Sequence, residues 1–153
     1  FWMASGEFIR LSMNRYLKIT TGIDHLPIIK KDIKDKKMSE TEKKEADKLR
    51  KRLLVESKKI EKLHKIWITA YYLGAAYLFN DNLVQAKKYA EKGISMNPNA
   101  RSLWVLLHFV NIRDASLKTG KPIKAFLPSE SEIKQLRNST KNMIKSLKQS
   151  QTE

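Results

Sequence analysis

At 153 residues, 41% of them hydrophobic, the chain is long enough to bury one real core and short for two. It has no Cys, which excludes disulfides, zinc–thiolate sites and Cys nucleophiles and suits a reducing, cytoplasmic compartment. The net charge of +15 fits a basic nucleic-acid or anionic-membrane binder, but it comes from 24 Lys and only 7 Arg, whereas base readout and bidentate phosphate recognition favour Arg.

The chain begins at Phe1 without a signal-like or basic start, as a piece of a longer polypeptide would. Residues 5–18, SGEFIRLSMNRYLK, place Phe8, Ile9, Leu11 or Ser12, and Tyr16 on a helical stripe, with Ser5 as N-cap and Gly22 as the stop. We read residues 1–22 as an N-terminal helix that suits an upstream domain. Pro27 pushes Leu26 out of helical geometry, so residues 23–38 read as an extended linker. Lys-rich stretches mixed with acids, such as KKDIKDKKMSETEKKEADKLRKR (30–52), look like a solvated helical face.

Ser39 with Glu42 three residues on is a capping box and predicts a helix start. From there Leu49, Leu53, Ile60, Leu63, Trp67, Ala70, Gly74 and Tyr77 recur at helical steps, interrupted at Glu56, with no Gly or Pro before Gly74. The favoured reading is one helix of about 40 residues from Ser39 to Phe79; the alternative is two helices meeting near His64. A coiled-coil strand is a weaker fit, because the seam is short and carries a Glu.

Asn80-Asp81-Asn82 is a turn signal. Leu83, Ala86, Tyr89, Ala90, Gly93 and Ile94 then line one helical face, and Asn-Pro-Asn at 97–99 ends it. Helices joined by so tight a turn must face each other, and Gly74, Ala75, Ala86 and Ala90 are small where they would meet. Beyond a loop at KTGKP, Ser129 with Glu132 is a second capping box, opening a helix with Ile133, Leu136, Ile144 and Leu147 inward as far as Lys148. Residues 149–153 read as a disordered tail.

Leu73-Gly74, Tyr77, Ala86 and Pro98 have the spacing of a tetratricopeptide repeat, which this stretch resembles over residues 67–100. Ala90 takes the family's aromatic position, Gly93 its last Ala, and Ala70 stands where the family has Trp. In the following segment Trp104 and Leu107 match, while His108, Asn111 and Gly120 depart from the pattern. The resemblance covers about a third of the chain. It implies an all-α fold, a right-handed solenoid fragment of antiparallel helical hairpins within residues 39–148, with three to five helical segments stacked around the repeat and Lys-rich helices capping it. It also implies a protein-interaction module rather than an enzyme, gripping a peptide or helix of a partner through groove positions Ile68, Tyr71, Ala75, Leu78 and Phe79. The family's carboxylate-clamp positions fall on Tyr71, Ala75, Val105 and Phe109, none of them charged, so the trough reads as apolar. Its occupant is either a partner segment or the chain's own N-terminal helix through Phe8, Leu11 and Tyr16.

Other chemistry is sparse. Glu61-Lys62-Leu63-His64 has the Glu-x-x-His spacing of di-iron bundles, but no second copy accompanies it, so an ion pair is the expected role. Asp24-His25 reads as a turn, His108 lies far from both other histidines, and the five glycines are too dispersed for a phosphate loop. We expect no cofactor, metal or transmembrane segment. Two further function classes remain: a C-terminal helical tail of a larger enzyme or membrane-associated protein, and the basic nucleic-acid or membrane binder. The oligomeric state is not readable from these residues.

Overall fold

A computed structural model describes residues 2–21, 37–120 and 129–139, and among these the chain is all-α: six helices and no strand. They are α1 (Trp2–Thr21), α2 (Glu40–Leu63), α3 (Trp67–Phe79), α4 (Leu83–Met96), α5 (Arg101–Thr119) and α6 (130–139). Most of the linker, with Asp24, His25 and Pro27, lies outside the described residues, as do Gly22, Lys121 and Pro122 of KTGKP, Ile144, Leu147 and the tail, while Lys118 and Thr119 of KTGKP belong to α5 rather than to a loop.

α1 starts at Trp2, within the expected residues 1–22, so Ser5 lies inside the helix rather than at its start. Its buried stripe is also rotated: Ile9, Met13 and Ile19 are interior, Phe8 and Tyr16 are half-buried, and Leu11 is 54% exposed. Ile9, Met13 and Tyr16 keep the four- and three-residue steps of one helical face, and Leu11 falls off it.

The capping box of α2 forms as expected, with Glu42 N–H donating to Ser39 Oγ at 3.2 Å and Ser39 N–H to Glu42 Oε1 at 3.2 Å. Ala46, Leu53, Ser57 and Ile60 form its inner face, so Ser57 takes the seam position beside Glu56, and Leu63 turns out to solvent.

The continuous helix from Ser39 to Phe79 does not occur; the chain breaks at His64–Ile66 and α3 folds back. His64 and Ile66 are both extended, at φ −134° and −123°. The cause is Thr69, fully buried in the first turn of α3. Its Oγ1 accepts Ile66 N–H at 3.2 Å, and its hydroxyl faces the carbonyl oxygens of Ile66 at 2.9 Å and of His64. One side chain thereby satisfies backbone groups that a helix interruption would leave bare. Thr69→Val keeps the shape and removes those bonds, so we expect a loss of about 1–2 kcal/mol in urea unfolding. Unchanged stability would mean that the hydroxyl does not hold the corner.

α3 ends at Phe79, where the expected helix ends, and α4 (Leu83–Met96) fills the interval between the turn signal at 80–82 and Asn-Pro-Asn at 97–99. At the turn Asp81 takes a left-handed φ of 56°, and Asn82 Oδ1 accepts Gln85 N–H at 3.4 Å. The pair runs antiparallel. Near the turn Tyr77 stacks on Tyr89, in the middle Gly74 faces Ala86 and Ala90, and at the far end Ala70 approaches Gly93. A Cβ on Gly74 would meet Ala86 O and Ala90 N at 3.4 Å, and Leu106 Cδ2 of α5 at 3.0 Å. The small residue lets three helices converge.

α5 lies against α4 and, less extensively, α3. Leu103, Trp104, Leu106, Leu107 and Val110 are interior, and Trp104 Nε1–H donates to Pro98 O at 2.8 Å. Pro98 is itself exposed and contributes this carbonyl. Gly120, at φ 67°, ends α5 in the left-handed conformation that favours glycine. α6 is capped by Ser129 and Glu132 as expected, buries Ile133 in the common core, and ties to α5 through Arg101–Glu130 at 3.0 Å. Among the described residues no helix is long and apolar enough to cross a membrane.

Candidate partner-binding surface

The five expected groove residues all lie on α3, and α3 does not offer them equally. Ala75 is 1% exposed and belongs to the core, so it presents no surface to a partner. Ile68, Tyr71, Leu78 and Phe79 are half-buried. Tyr71 and Leu78 pack on the core cluster, and burial raises the Tyr71 phenol above its ordinary range.

Phe79 is covered from within the chain. The Tyr16 ring of α1 stacks on it at 4.4 Å, and Tyr16 O–H donates to Phe79 O at 3.4 Å. α1 is fastened to α2 beside this contact by a two-pronged Arg15–Glu45 pair, at 2.9 and 3.1 Å, and Arg52 of α2 lies 4.7 Å from the Phe8 ring. Thus Phe8 and Tyr16 of the N-terminal helix do pack inward, and Leu11 does not.

Leu73, Gly74, Tyr77 and Ala86, the residues expected to mark a repeat, all sit where α3 and α4 meet the rest of the core. Of the clamp-equivalent positions in α5, Val105 is buried and Phe109 half-buried beside His108.

Glu61 of the Glu-x-x-His stretch makes an ion pair, as expected of it, though not a surface one. Its carboxylate is largely buried and receives Lys92 Nζ of α4 at 3.1 Å. No cluster of three or more His, Asp or Glu able to hold a metal occurs among the described residues.

A second feature was missed in the sequence. Tyr77 and Tyr89 stack with centroids 5.9 Å apart, and lysines lie over them: Lys58 Nζ at 5.6 Å from Tyr77, Lys88 and Lys92 Nζ at 5.8 and 5.4 Å from Tyr89. The i,i+3 spacing of Tyr89 and Lys92 on α4 was a usable signal. Lys58 was not, because only the fold-back at His64 brings it to Tyr77. Burial raises the Tyr89 phenol, nearby Glu61 adds to this, and Lys92 opposes it.

No family model matches this chain, and no curated protein or solved structure matches it.

Proposed function

We propose that the chain is a protein-interaction module of tetratricopeptide type, a right-handed solenoid fragment with flanking helices that acts as a scaffold rather than an enzyme. The observation that carries this reading is the packing order: a close α3–α4 hairpin, with α5 returning beside α3 and α2 preceding it, each helix resting chiefly on its neighbours in sequence. Stacked helical hairpins are built this way, and such stacks expose extended faces that hold peptides or helices. Ile68, Tyr71 and Leu78 form the part of the expected trough left to a partner, since Ala75 is interior and Phe79 is taken by Tyr16. Ile68 is the most available of them, half-buried and outside the core cluster.

The test is photo-cross-linking in cells, with a benzophenone amino acid in place of Leu78 in the full chain. The reading expects one discrete adduct to another protein, lost when Ile68→Arg is added. Adducts confined to the chain's own residues 1–21, or no intermolecular adduct, would overturn it and make α1 the trough's occupant.

A further inference from the structure

We propose that the face shared by α2 and α4, where Lys58, Lys88 and Lys92 lie over the stacked Tyr77–Tyr89 pair and Lys62 is exposed one helical turn beyond Lys58, docks an acidic segment of a partner protein through its Asp and Glu side chains. This rests on the interaction-module reading and adds a second contact surface, apart from the α3 trough, with a partner of defined charge.

The first support is where the positive charge is spent. All seven arginines are engaged inside the molecule. Arg10, Arg15, Arg50, Arg101 and Arg113 pair with Glu7, Glu45, Asp47, Glu130 and Asp81, while Arg52 and Arg137 lie over the rings of Phe8 and Trp104. The uncompensated charge is therefore lysine. Lys58, Lys62 and Lys88 make no salt bridge with a described residue, and the only carboxylate bridged to this set is Glu61, largely buried beneath Lys92.

The second support is preorganisation. Glu61–Lys92 bridges α2 to α4, and the two tyrosine rings hold the ammonium groups of Lys58, Lys88 and Lys92 over a fixed platform. Flexible lysines normally give up rotamer freedom on binding, and groups already held by a ring give up less. Lys58 and Lys62 are one helical turn apart on α2, which matches carboxylates spaced at i and i+4 on a partner helix, about 5–6 Å apart.

The third support separates a protein from a nucleic acid. Single-stranded nucleic acids bind by stacking bases on free aromatic faces, whereas Tyr77 and Tyr89 are already engaged with each other and with lysines. The guanidinium forks that read bases and clamp phosphates are committed elsewhere. Point charges suited to carboxylates are what this face offers.

The experiment is fluorescence anisotropy with the full chain at near-physiological ionic strength, using a labelled helical peptide with Glu at i,i+4 spacing and a single-stranded oligothymidine of equal charge. Saturable peptide binding is expected, weakened about tenfold or more by Lys58→Glu with Lys88→Glu, whose circular dichroism should match the parent. The exposed control pair Lys44→Glu with Lys134→Glu makes the same charge change away from the face and should leave affinity within about threefold. No peptide binding, equal loss in both double variants, or oligothymidine binding as tight as the peptide's would each overturn the proposal. Cross-linking at Leu78 is read independently, so a failed peptide titration with a persistent Leu78 adduct sinks the lysine face alone.

Discussion

Trp104→Ala is expected to lower the free energy of unfolding by about 3–5 kcal/mol, a large part of the 5–15 kcal/mol that holds a typical domain together. Trp104 is 1% exposed and among the largest fully buried side chains. It stands on α5 with Arg137 of α6 5.6 Å from its ring, and its indole N–H is committed to Pro98 O. Truncation removes the transfer energy of a large ring, opens a cavity that helices on several sides must collapse into, and unpairs a carbonyl. Trp104→Phe fills most of that space and loses the hydrogen bond, so it should fall between the two. Urea unfolding followed by far-ultraviolet circular dichroism measures both; parent-like stability of Trp104→Ala would contradict the position of α5.

The second large effect is Gly74→Leu, at about 3 kcal/mol, the upper end of what overpacking usually costs. The reason is the nature of the neighbours. Leu106 Cδ2 is the end of a side chain and can turn aside, but Ala86 O and Ala90 N are backbone atoms of α4, and only separation of α3 from α4 relieves a contact with them. Gly74→Ala is the internal control. Its Cβ makes one contact at 3.0 Å to Leu106 and gains the helix preference of Ala over Gly, about 1 kcal/mol, so it should be near neutral. A Gly74→Leu protein as stable as Gly74→Ala would show that the two helices are not in close contact there.

The α3–α4 pair was readable because local chemistry and packing agree. Asn80-Asp81-Asn82 can only turn, and small residues on both flanking helices allow close approach. The capping boxes at Ser39 and Ser129 were readable for the same reason, since a local hydrogen-bond exchange defines them. The break at His64 was legible only as the less favoured of two readings. The apolar steps pass through it without a Gly or Pro, and the residue that enables it, Thr69, has nothing in its sequence context to mark it as a buried cap rather than an ordinary helical Thr. That one misreading hid the lysine–tyrosine face. On a continuous helix Lys58 and Tyr77 would stand 19 residues, roughly 28 Å, apart; folded back, the ammonium lies 5.6 Å from the ring centroid. The groove positions were legible as α3 residues, but which stay open depends on where α1 lies, and no local signal specifies that Tyr16 reaches Phe79.

The neighbour-to-neighbour packing also has a kinetic consequence. Among α1 to α5, every extensive interface joins helices adjacent or next-but-one along the chain. From α2 to α5 the connections are three or four residues long, so no long loop has to close before contacts begin to offset its entropy. Folding can nucleate at the α3–α4 hairpin, whose connection is three residues, and spread outward to α2 and α5. The short connections among α2 to α5 are those of fast-folding helical topologies. They also let α2 to α5 assemble helix by helix as the polypeptide leaves the ribosome, whereas α1, which emerges before them, waits for Phe79 before Tyr16 has a ring to stack on.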